Sequence, residues 1–145
     1  MTLPTSEILE RYFSDEAFRN RVDKLFKNVE PYIDQFASSN QLDLHKWYHD
    51  TPIWMLILER KPITRIIHVG PAEINNDLTI STVVAAYKDT SGERYATPKG
   101  IIVDRISEST VEIKPYQITD LLERAIALVK GIEEKDLTLR STFTR

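Results

Sequence analysis

Cysteine is absent from this 145-residue sequence, which removes disulfides, thiol nucleophiles and thiolate metal sites together. A reducing compartment is compatible with that absence, and a cytoplasmic location is the expectation. Glycine is scarce as well: the four residues, at positions 70, 92, 100 and 131, stand too far apart to form a phosphate-cradling loop. The opening stretch, Met-Thr-Leu-Pro-Thr-Ser-Glu, has neither a basic region nor an apolar run, so no signal peptide is read. No apolar run approaches the roughly 20 residues that span a bilayer, so no membrane partner is expected. A net charge of −3 gives no global field for nucleic acid, which is therefore not an expected partner either.

What is present is the composition of a globular domain, 41% hydrophobic and 28% charged. Residues 1–145 read as one domain without repeats, and about 132–145 as a tail or an edge strand. The organising stretch is Ile53 to Glu59, Ile-Trp-Met-Leu-Ile-Leu-Glu, which is apolar on both parities of a strand. A half-exposed strand alternates apolar with polar, so this one is expected at the centre of a sheet covered on both sides.

Before it, a short helix through Tyr12 and Phe13 is followed by a longer one with Ser14 as its N-cap. Phe18, Val22, Leu25, Val29, Tyr32 and Phe36 recur at spacings of three and four and commit one face to a core. Pro31 predicts a kink or a restart near Asn28. Residues 37–51 form a polar connection whose two histidines and two aromatics, within Asp43 to Asp50, predict packing against something.

After it come strands over Ile63 to Val69, ended by Gly70-Pro71, and over Leu78 to Lys88, then a return from Arg94 to Thr97. Gly100 to Ile106 and Thr110 to Lys114 predict two more, the last with Val111 and Ile113 inward. Ile118, Leu121, Leu122, Ala125, Ile126 and Val129 then give a helix that stops at Gly131. The expectation is an α+β fold: an antiparallel meander of about five or six strands with N-terminal helices and a C-terminal helix packed on it. Two amphipathic helices would serve the two faces of the sheet, or a second protomer would cover one.

Few residues carry chemistry. His45 and His49 have a metal-ligand spacing if helical, yet the glutamate of a hydrolytic zinc helix is missing between them, and no metal site or cofactor is assigned. Trp54, His68 and Tyr87 are candidates to line a small-ligand pocket between sheet and N-terminal helices. The segment Tyr95-Ala-Thr-Pro98-Lys99-Gly-Ile-Ile-Val-Asp104, a turn, then Val111-Glu112-Ile113-Lys114-Pro115 and a helix, resembles the core hairpin of the PD-(D/E)xK nuclease superfamily. That resemblance implies Glu112 and Asp104 as ligands of Mg²⁺ and Lys114 as the group that orients the attacking water. Where the family has Pro-Asp, this chain has Pro98-Lys99, and an ammonium cannot ligate a hard cation. Length, cysteine-free composition and the helix, meander, helix order are also similar to a family of small cyanobacterial proteins of unknown function, which implies a fold of its own and no activity. The leading expectation is a non-catalytic binding or interaction domain with a protein partner or a second copy as in a homodimer. A metal-dependent phosphodiesterase is the alternative.

Overall fold

The computed structural model describes residues 6–60, 63–90, 93–96 and 105–133. Their order is α1 (Ser6–Ser14), α2 (Glu16–Ser39), β1 (Asp43–His45), a 3-10 turn (Tyr48–Asp50), β2 (Trp54–Glu59), β3 (Thr64–Ile74), β4 (Asp77–Thr90), β5 (Glu93–Ala96), β6 (Ile106–Ser107) and α3 (Pro115–Lys130). The sheet runs β1-β2-β3-β4-β5, antiparallel throughout, and β6 pairs with β4. The fold is α+β, with helices before and after a meander.

β2 lies beside the three-residue edge strand β1 rather than at the centre of the sheet, yet it is buried on both faces as its apolar run predicts. Met55, Leu56 and Ile57 are all buried, with Leu56 at the full depth of the core. Trp54 and Leu56 join the main core, which also takes Ile67 and Val69 from β3, Leu78, Ile80 and Val84 from β4, and the apolar faces of all three helices. Met55 and Ile57 point the other way and form a second cluster with Ile66 and the ring of Tyr48. The three helices thus share one core on one face, which corrects the expectation of one helix per face.

Local chemistry explains several further differences from the sequence reading. The α2 N-cap is Asp15 rather than Ser14: its carboxylate accepts from the Phe18 amide at 3.1 Å, whereas the Ser14 hydroxyl donates back to the Glu10 carbonyl. Pro31 lies exposed within a helix that continues to Ser39 without a restart. Gly70-Pro71 does not end β3, which runs on to Ile74 against β4. The last β2 residue in register is Trp54, opposite Val69, so Pro71 falls where β3 has lost one neighbour, a place where the missing N–H is tolerated. Asn75 and Asn76, both at positive φ, make the two-residue turn of the β3–β4 hairpin.

Residues 111–114 are not a strand, and Val111 is fully exposed rather than inward, while Ile113 packs partly on the core. The short β6 and the Arg21–Glu108 ion pair carry the chain over β4 into α3 instead. The expected strand over Gly100 to Ile106 falls mostly outside the described residues, as does the tail beyond 133.

Arg65 closes the far end of the core. Its guanidinium donates to the Ile132 carbonyl just past α3, at 2.6 and 3.1 Å, and pairs with Glu59 at 2.9 Å. A cation is thereby placed just past the C-terminus of α3, where the helix dipole favours it.

Leu56→Ala should cost about 2–5 kcal/mol, the range for truncating a large side chain at a fully buried site. Urea unfolding followed by far-UV circular dichroism measures it; a loss below about 1 kcal/mol would place β2 at the surface.

Candidate binding site

The loop between β1 and β2 crosses the end of the sheet and sends one aromatic ring to each side. Tyr48 goes to the Met55, Ile57 and Ile66 cluster, and Trp47 goes to the helices. Two backbone bonds, Tyr48 N–H to the Ile53 carbonyl and Thr51 N–H to the Tyr48 carbonyl, both at 3.0 Å, tie the loop to itself. Its backbone is unusual: Trp47, His49 and Asp50 have φ of 53°, 51° and 63°. Asp and His visit the left-handed region more readily than most, but for a bulky aromatic such as Trp47 it is an outlier, worth about 1–3 kcal/mol of strain.

That backbone conformation places the Trp47 ring in an aromatic series running from surface to core. Phe13 stands edge-on to Tyr12 at 5.2 Å, Tyr12 stacks on Trp47 at 6.2 Å, Trp47 on Phe26 at 5.3 Å, and Phe26 on Trp54 at 4.1 Å. Trp54 and Phe26 are buried, while Trp47 remains 37% exposed and Phe13 54%. Beside the series lies a cleft of about 250 Å³ lined by Asp23, Phe26, Lys27, Glu30, Trp47 and Trp54. Both tryptophans of the chain face it.

The charges around the cleft sit on one face of α2. Asp23 accepts from the Tyr12 hydroxyl at 2.7 Å, and burial together with that carboxylate holds the phenol far above its ordinary pKa, so it stays a donor. Glu30 is taken up by Lys46, whose ammonium lies 3.0 Å from it and 3.0 Å from Asp34. Hydrogen bonds to those two carboxylates raise the Lys46 pKa, which keeps it charged. Lys46 precedes Trp47, so this ion pair latches the loop to α2.

Trp54 lies in this cleft, but the other pocket candidates do not join it. His68 pairs with Met55 and Val83 in register, on the face opposite Trp54. Tyr87 is placed by its backbone alone, between Thr64 and Ala96. One pocket shared by Trp54 and His68 is therefore ruled out by strand parity. Glu112 and Lys114 pair at 3.3 Å on an irregular, solvated segment, with 76% and 55% of their side chains exposed. Asp104 and Lys99 fall outside the described residues. His45 lies on β1, 3.5 Å from Asp43, while His49 stacks on Tyr48 at 3.9 Å, so the two do not share a helical turn. Among the described residues no group of three metal-ligating side chains converges, and no helix is long and apolar enough to cross a membrane.

Trp47, Phe26 and Asp23 are the residues that reading the sequence did not assign. The signal was faint: two aromatics in a polar connection ahead of the central strand, and a Phe26 that widened the α2 stripe beyond what a narrow core face requires. No family model, curated protein or solved structure matches the chain.

Two predictions follow from these placements. Burial pushes the His68 pKa below its ordinary value near 6.5. The folded state thus disfavours the proton, so stability is complete above about pH 6.5 and declines as pH falls through the folded pKa. In urea midpoints compared at neutral and mildly acidic pH, His68→Leu should show a smaller acid decline than the parent. For the exposed pair, Glu112→Gln with Lys114→Ala should change stability by under about 1 kcal/mol. Addition of Mg²⁺ should leave both melting temperatures unmoved; Mg²⁺ stabilisation of the parent alone would restore the nuclease-like reading.

Proposed function

We propose that this chain is a non-catalytic, cytoplasmic binding domain and that its contact site is the Trp47 cleft. The observation that carries this reading is the left-handed, strained Trp47 whose ring stays partly exposed beside a cleft lined by both tryptophans. A core aromatic would not need such a backbone, and strain of this kind concentrates where a surface is kept ready for a ligand. The carboxylates of the lining are engaged, Asp23 by the Tyr12 hydroxyl and Glu30 by Lys46, and no metal-ligating group of three converges among the described residues, which supports recognition rather than catalysis.

Phe13 extends the aromatic surface beyond the cleft and favours a partner protein, or a second copy of the chain, as the body that carries the bound group. The absence of cysteine accords with a reducing compartment.

The experiment is a fluorescence titration against a panel of small metabolites, with sedimentation velocity at several concentrations for self-association. Binding or dimerisation should perturb tryptophan emission and should be lost in Trp47→Ala while its circular dichroism stays that of the parent. Phe13→Ser should weaken association selectively. Partners that bind the Trp47→Ala protein as tightly as the parent would remove the site.

A further inference from the structure

We propose that the cleft between β6 and the N-terminal half of α3 binds a small zwitterion, a free amino acid or a dipeptide with a large apolar side chain. This site shares no lining residue with the Trp47 cleft and stands independently of it.

The cleft holds about 540 Å³, within the roughly 300–1,000 Å³ of sites that take small molecules. Arg105 enters it from the β6 side, and Asp120 and Glu123 enter from α3. Asp120 is drawn toward Arg124, 3.5 Å away and one turn later on the helix. Arg105 and Glu123 have no ion-pair or hydrogen-bond partner among the described residues, so the cleft presents opposite charges that do not meet.

Charges held apart in this way select by sign. A ligand that is only negative gains at Arg105 and is repelled by the α3 carboxylates, while one that is only positive meets the reverse. A ligand with a carboxylate and an ammonium gains on both sides. The guanidinium fork matches a carboxylate bidentately. Gln117 adds donors, because its side-chain oxygen already accepts from the Lys114 amide at 2.7 Å and its NH₂ group is left for a ligand. An ammonium needs several acceptors to replace its water, and Asp120 and Glu123 supply them.

The rest of the lining suits an apolar side chain. Ile106 is buried in the main core and backs the cleft. Tyr116 is 65% exposed and stacks on no other ring among the described residues, so its face is free to cover a ligand. The α3 residues that hold the fold, Ile118, Leu121 and Leu122 among them, point into the protein, so the lining can be altered without unfolding it.

The test is a titration of the whole chain at mildly acidic pH and low ionic strength, since salt screens exposed charges. Calorimetry and amide shifts in nuclear magnetic resonance follow binding. Phenylalanine is set against phenylalaninamide, which lacks the carboxylate, and 3-phenylpropionate, which lacks the ammonium. Phenylalanine should bind severalfold more tightly than either. Arg105→Gln should weaken phenylalanine severalfold and leave the amide no weaker; Glu123→Gln should weaken phenylalanine and leave phenylpropionate no weaker. Tyr116→Ser should weaken all three, and Trp47→Ala none. Phenylalanylglycine and leucine, titrated alongside, separate a peptide source from a free amino acid, and binding of either supports the class.

Equal affinity for phenylalanine and its singly charged analogues would overturn the zwitterion and leave an apolar contact alone. Binding unmoved by both Arg105→Gln and Glu123→Gln would overturn the site, as would binding lost in Trp47→Ala. No binding of any amino acid or dipeptide defeats this proposal and leaves the Trp47 reading standing.

Discussion

The register of the β3–β4 hairpin is the constraint on which the other contacts depend. Pairing runs without interruption from Thr64 opposite Tyr87 to Ile74 opposite Asp77, and the Asn75-Asn76 turn sets where it starts. A slip of one residue would exchange the two faces of a strand, turning Ile67 and Val69 away from the helices and bringing His68 toward them. With the register held, β2 has one orientation available that places Leu56 in the main core and Met55 in the smaller cluster. The same parity puts Arg65 on the helix side, where it can reach the Ile132 carbonyl and fix the end of α3.

Much of this was legible before any coordinates, because it depends on periodicity. The α2 stripe, the double-sided run of β2 and the Gly131 stop of α3 are local signals with tertiary consequences. What failed depends on neighbours. Whether Pro71 ends a strand is decided by whether β2 still runs alongside, which no window around position 71 contains. Alternation at Val111 and Ile113 resembled a strand, but no strand among the described residues pairs with it, and Val111 is left in solvent. The number of helices matched, yet their faces did not, since periodicity tells that a helix has a buried side and not which side of the sheet it meets.

The candidate site was legible only as an oddity of composition. Its parts come from α1, α2, the β1–β2 loop and β2, so that Tyr12, Asp23, Trp47 and Trp54 are distant in sequence and meet only when the sheet has formed. The residues that sequence patterning favoured, Glu112 and Lys114, had the opposite property: a recognisable spacing and no tertiary convergence among the described residues. Chemistry at a site requires convergence, and spacing along a chain is informative only where one element holds all the participants.

Energetics connect the loop to that site. The left-handed backbone of Trp47 costs about 1–3 kcal/mol, which its ring contacts to Phe26 and Tyr12, about 0.5–1.5 kcal/mol each, offset together with the burial of most of its surface. The Lys46 ion pairs add little, because they are about one-third exposed and screened by solvent. The loop's conformation is sustained by the ring contacts it makes with the helices, so truncating Trp47 would remove the interactions that offset its backbone cost.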